Sequence, residues 1–190
     1  MPKVFIIHGA YGNPNENWIP WLKEELEKIG CEVFVPRFPT PENQSLETWL
    51  KVFGPFQKQV DENSILIGHS IGANFVLHIL EKSDRKIRAA FIVAGAISPV
   101  VDPKNQVNEI NKTFYKKKFN WKRIRENCKD IYTIISDNDP YITMALAEEI
   151  SKPLGVTLTL IEGGGHFNRK AGYEKFPQLL EMVEDVLTAD

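Results

Sequence analysis

The stretch Ile65-Leu66-Ile67-Gly68-His69-Ser70-Ile71-Gly72-Ala73 decides the fold of this 190-residue chain. An apolar run stops at a Gly-x-Ser-x-Gly pentapeptide, and an apolar helical pattern follows at once. That is the sequence pattern of a nucleophile elbow: a strand, a sharp turn carrying a serine, and a helix. Glycines on either side of Ser70 allow strand and helix to approach closely, and the strained turn points the hydroxyl outward. A hydrolytic serine needs a base, an orienting acid and an oxyanion hole, so the rest of the chain is searched for these.

Working outward, apolar runs alternate with helical patterns. Val4 to His8, Cys31 to Val35, 64–67, Ala89 to Ala94, Ile131 to Ile135 and Thr157 to Ile161 are expected as strands. Helices are expected from about Asn17 to Ile29, after a Ser45 cap, over 71–82, over 143–152 and from Phe176 to Leu187. Such alternation implies an α/β fold: a mainly parallel sheet with helices on both faces. No repeat or linker breaks the chain, so residues 1–190 are expected to form a single domain, with a short helical cap-like insertion around 98–129.

In such sheets ligands bind beyond the carboxyl ends of the strands. Four of these ends are polar or rich in glycine: His8-Gly9-Ala10-Tyr11, Gly68-His69-Ser70, Ser136-Asp137-Asn138-Asp139 and Gly163-Gly164-Gly165-His166. In hydrolases with this elbow the order along the chain is serine, acid, histidine. Only His78 and His166 follow Ser70, and His78 lies two turns down the elbow helix, so His166 is expected as the base. His8 and His69 are expected to support the oxyanion loop and the elbow. Asp137 and Asp139 both qualify as the acid. Asp139-Pro140 resembles a proline-stiffened turn common in these enzymes, which favours Asp139, with Asp102 a distant third. The oxyanion hole is expected from the backbone N–H of Ile71 and of Ala10 or Tyr11. Tyr11, Trp18, Trp121 and Phe167 are possible pocket walls.

Other classes find less support. The net charge is −2, so there is no global attraction to nucleic acid or membrane. The basic segment 112–129 (Lys112, Lys116, Lys117, Lys118, Lys122, Arg123, Arg125, Lys129) is expected to be a solvated amphipathic cap. It gives a slight tilt toward anionic substrates. There is no P-loop, complete G-x-G-x-x-G or H-E-x-x-H, so no nucleotide, cofactor or metal is expected. Met1-Pro2-Lys3 runs straight into a short apolar stretch, and Cys31 and Cys128 form no CxxC, so a cytoplasmic protein with two free thiols is expected.

The elbow, Asn127-Cys128, Ser136-Asp137-Asn138-Asp139-Pro140 and Gly165-His166-Phe167 arrive in an order that resembles the small α/β-hydrolases of the retinoblastoma-binding-protein-9 and YdeN type. Gly12 to Leu26, with Trp18 and Trp21, and Phe119-Asn120-Trp121 are also similar. The resemblance spans almost the whole chain. It implies a minimal α/β-hydrolase fold with six strands in the order 2-1-3-4-5-6. It also implies a triad of Ser70, Asp139 and His166, and carboxylesterase action on small esters. One departure stands out. The namesake's retinoblastoma binding is attributed to L-x-C-x-E, and the matching Lys58-Gln59-Val60-Asp61-Glu62 has neither the leucine nor the cysteine. That interaction is therefore not carried over. The competing expectations are a protein-interaction module on a hydrolase scaffold with vestigial catalysis, and a thioesterase or peptidase using the same residues.

Overall fold

The computed structural model describes residues 1–115 and 118–189. Lys116 and Lys117, part of the basic segment, lie outside the described residues. The strands are β1 (Lys3–Ile7), β2 (Glu32–Phe34), β3 (Ser64–His69), β4 (Ile87–Val93), β5 (Cys128–Ser136) and β6 (Leu158–Ile161). They form one sheet in the order β2-β1-β3-β4-β5-β6. Every neighbouring pair is parallel. This is the α/β-hydrolase arrangement expected from the sequence.

Parallel strands need helical crossovers, and the helices are α1 (Ile19–Lys28), α2 (Leu46–Gln57), α3 (Ile71–Lys82), α4 (Gln106–Tyr115), α5 (Trp121–Asn127), α6 (Met144–Leu154) and α7 (Pro177–Thr188). The period-2 alternation of strand side chains divides the core into two layers. Val4 and Ile6 of β1 face Leu22 and Leu26 of α1 and Leu179 and Val183 of α7. Phe5 and Ile7 face the other way, toward Trp49 and Phe53 of α2, Phe75 of α3 and Phe114 of α4. The central strand β3 is buried along its whole length, which is why it is apolar without alternation.

Several local expectations shift. Ser45 caps α2 in a reciprocal capping box with Thr48, as its sequence position implies. Asn17 does not cap α1; it adopts φ 55° and its Oδ1 accepts the Arg169 N–H at 2.8 Å. β5 begins three residues before Ile131, because Cys128 to Asp130 continue the ladder beside Ile87 to Ala89. The insertion after β4 contains two helices, α4 and α5.

Candidate active site

Ser70 stands between β3 and α3 with φ 57° and ψ −123°, a backbone state that non-glycine residues rarely adopt. Its N–H donates to Val93 O at 2.9 Å, pinning the turn to β4. The flanking glycines are there for contact. A Cβ on Gly68 would lie 2.4 Å from Gly72 O, and one on Gly72 would lie 2.5 Å from Ile7 O. No side chain fits at either place, so α3 can approach β1 and β3 this closely at the turn because both residues are glycine.

His166 sits on the loop after β6. Its Nδ1 lies 2.8 Å from Asp139 Oδ2, and the Asp139 side chain is fully buried. A carboxylate only accepts, so His166 Nδ1 carries a proton and donates it in a hydrogen bond to Asp139. The other Asp139 oxygen accepts the Tyr141 and Ile142 N–H groups at 2.8 and 3.0 Å. Asp137 does something else. Its Oδ1 accepts the Gly163 N–H at 2.7 Å, and Asn138 Oδ1 accepts the Gly165 N–H at 2.6 Å. These two side chains fasten the loop on which His166 rides.

Two further bonds hold that loop from the opposite side. His69 Nε2 lies 2.8 Å from His166 O, and Trp18 Nε1 donates to Phe167 O at 2.9 Å. A carbonyl accepts, so His69 carries its proton on Nε2. Full burial, together with the neighbouring His166, pushes the His69 pKa down to about 3. His69 is therefore a neutral strut. His8 is also buried and held below its ordinary range, mainly by desolvation. Its Nδ1 lies 2.8 Å from Gly9 O, and its Nε2 accepts the Phe38 N–H at 3.0 Å, which fixes the loop after β1.

That loop passes beside the serine: a Cβ on Gly9 would lie 3.0 Å from Ser70 Cβ. The Tyr11 N–H is already committed to Thr40 Oγ1 at 2.7 Å. Of the two loop donors expected from the sequence, Ala10 remains, beside Ile71 at the first position of α3. Among the described residues no three His, Cys, Asp or Glu side chains gather as a metal site.

Two clefts open on Ser70 and His166. One, of about 210 Å³, is walled by Ile71, Val100, Val107 and Ile142, with Asn111 and Tyr115 of α4. The other, of about 250 Å³, runs past Gly12, Glu16, Asn17 and Lys170. Of the four aromatic pocket candidates only Tyr11 lines either cleft. Trp18 and Phe167 are wholly buried and pack edge-on and face-on against Phe176. Trp121 packs on Phe119, away from both clefts. The aromatics face the core because burying their large surface there removes more apolar area from water than a cleft wall can. The sequence reading missed Val100, Val107, Asn111 and Tyr115, which all come from the segment after β4.

The sequence model of the family described as serine hydrolase matches residues 4–185. The chain belongs to the serine hydrolase family. YdeN of Bacillus subtilis (strain 168) is 28% identical over 188 residues, covering 98% of this chain and 95% of YdeN. The crystal structure of the ydeN gene product superposes with a TM-score of 0.91 over 100% of both chains, at 25% identity. Serine hydrolase RBBP9 of Rattus norvegicus is 26% identical over 189 residues, covering 98% of this chain and 96% of RBBP9. A carboxylesterase structure from Nitrososphaera gargenis shares the fold at 14% identity, with a TM-score of 0.74 over 98% of this chain and 89% of that one.

Proposed function

We propose that this serine hydrolase is a carboxylesterase of small esters, working through an acyl-enzyme on Ser70. The observation that carries the reading is the His166 Nδ1 to Asp139 Oδ2 bond at 2.8 Å, on a loop that shares two clefts with Ser70. In this reading His166 Nε2 takes the Ser70 hydroxyl proton as Oγ attacks the ester carbonyl. Asp139 holds the imidazole in the required tautomer and stabilises the imidazolium. The N–H groups of Ile71 and Ala10 hold the oxyanion, each worth about 3 kcal/mol in the transition state. The tetrahedral intermediate then collapses. The carbon–oxygen bond to the alcohol breaks, and the alkoxide leaves with the proton from His166. Water, deprotonated by the same nitrogen, attacks the acyl-enzyme, and the acid is released as Ser70 regains its proton. In this reading the hydrogen bond between Ser70 Oγ and His166 Nε2 forms with substrate in place, as catalytic bonds commonly tighten in the bound complex.

Two unpaired, buried cysteines fit a reducing cytoplasm, where thiols of this kind stay reduced. Burial raises the Cys128 pKa to about 12, so that thiol is inert. Among the described residues no helix is long and apolar enough to cross a membrane.

A fluorophosphonate probe is expected to label the wild-type protein and not Ser70→Ala, which should also lose turnover of p-nitrophenyl acetate. Folded wild type that takes no label overturns the reading. An interaction module with vestigial catalysis would show the same weak ester turnover in both proteins.

A further inference from the structure

The wall that α4 contributes to the first cleft is not purely apolar. Asn111 is 2% exposed, yet it lines the cavity beside Ser70. Its Oδ1 accepts from Gln44 Nε2 at 2.5 Å, which fixes the amide from behind. Its Nδ2 has one partner among the described residues, Tyr115 Oη at 3.4 Å, beyond the usual range of an N–H···O bond. Tyr115 lines the same cavity and keeps its proton, because burial raises its pKa above the ordinary phenol value. An amide NH2 carries two hydrogens, and only one of those on Asn111 Nδ2 has a partner among the described residues, so a ligand group that meets the other beside the Tyr115 hydroxyl gains a hydrogen bond.

The rest of the cavity says what that group is. Around Asn111 and Tyr115 the wall is Ile71, Val100, Val107 and Ile142, with Tyr11, Tyr141 and Asn168 also lining the cavity, and among the described residues it holds no Lys, Arg, Asp or Glu. A charged chain would lose its hydration without gaining a counter-ion. The one lysine within α4 does not change this. Lys112 is exposed and pairs with Glu109, so the positive face of α4 turns to solvent while Asn111 turns inward. At about 210 Å³ the space matches on the order of seven water volumes, enough for an acyl group of about seven heavy atoms. The second cleft differs in carrying charged side chains, Glu16 and Lys170, and in this reading it takes the departing alcohol.

We propose that this cavity selects short acyl chains that carry a neutral oxygen, a keto or hydroxyl group, hydrogen-bonded by Asn111 and Tyr115. The assignment rests on the acyl-enzyme reading above and names its substrate class. The carbonyl carbon stays on Ser70 and the chain lies along Ile71 and Ile142. Its oxygen accepts from the Tyr115 hydroxyl and the Asn111 amide. Polar groups placed sparsely in an apolar pocket are the usual means of fixing orientation.

The test compares p-nitrophenyl 4-oxopentanoate with p-nitrophenyl 4-methylpentanoate, which share a leaving group and nearly a shape. The wild-type kcat/KM is expected to favour the oxo ester about tenfold, the worth of one to two neutral hydrogen bonds. Asn111→Leu and Tyr115→Phe should each draw that ratio toward one. Tyr115→Phe removes a single oxygen, so it serves even if the Leu variant folds poorly. A wild-type ratio of one or below, with Ser70 still taking the fluorophosphonate label, overturns the inference and leaves the esterase reading standing. A tenfold ratio that neither variant moves also overturns it. Absence of both labelling and turnover overturns the esterase reading itself.

Discussion

On one side of Ser70, three consecutive side chains at the end of β5 reach across to the loop after β6. Asp137 meets the Gly163 N–H, Asn138 the Gly165 N–H, and Asp139 the His166 ring. On the other side, α4 supplies a wall through packing: Phe114 is buried against Trp49 and Phe75, and Asn111 is held by Gln44. The first wall is made of short-range polar bonds between adjacent strand ends. The second is made by a helix whose orientation follows from which of its residues find apolar neighbours. The first holds the His166 loop and its imidazole through direct hydrogen bonds. The second shapes a space beside Ser70.

Asp139→Asn breaks the first wall where it matters most. It should lower kcat by about 10⁴, because the wrong imidazole tautomer is then favoured. Asp137→Asn keeps an oxygen for the Gly163 N–H and should cost less than about tenfold, one net hydrogen bond. Circular dichroism and esterase rates on the two proteins separate catalysis from folding. Equal losses would mean that Asp137 and Asp139 act as one unit.

Gly72→Ala tests the junction beneath both walls. Its Cβ would meet Ile7 O at 2.5 Å and His8 O at 2.6 Å, backbone atoms that cannot turn aside. Urea unfolding should show a loss of about 3 kcal/mol or more. Gly54→Ala in α2, where nothing lies within 4 Å, should instead stabilise by about 0.5 to 1 kcal/mol.

His69 makes the first wall sensitive to pH. Its pKa falls from 6.5 to about 3 on folding, so between those values the unfolded chain binds a proton that the folded one does not. Stability therefore declines as pH falls through that window and is unaffected by His69 above it. The slope from this one group is about 1.4 kcal/mol per pH unit. His69→Gln should flatten the pH dependence of the unfolding free energy, measured by urea titration between pH 4 and 6, by up to that amount. A slope identical to wild type would show that His69 gains no proton on unfolding. Buried His8, also depressed, adds to the wild-type slope in the same direction.

The smallest effect is expected on the outer face of the second wall. Lys112 and Lys122 are exposed and pair with Glu109 and Glu126 on their own helices. Reversing both to glutamate should change stability by about 0.5 kcal/mol or less. Turnover of neutral esters should stay within about twofold. A selective loss on anionic esters would revive a role for the basic segment in recognition.

The two walls also differ in how far they can be read from the sequence. Ser70, Asp139 and His166 are legible because each sits at a strand end marked by glycine, proline or a polar cluster, and strand ends in a parallel sheet converge on one edge. Trp18 and Phe167 are misread as pocket walls for a physical reason. An aromatic near a catalytic motif looks the same in sequence whether it turns to the cleft or to the core, and here an indole-to-carbonyl bond and stacking on Phe176 turn them inward. Tyr11 shows the same limit at the backbone. Its N–H looks available until Thr40, 29 residues away, occupies it.

The sequence by itself determined the alternation of strands and helices, the parallel sheet, and the serine turn with its two glycines. These depend on hydrophobic periodicity and on local backbone sterics, which neighbouring residues carry. Only the tertiary structure decided that Asp137 fastens a loop while Asp139 meets the imidazole, and that α4 turns Asn111 rather than Lys112 toward Ser70. Those outcomes depend on which distant groups complete one another's hydrogen bonds and which faces can be buried together, and neither is written in any single stretch of the chain.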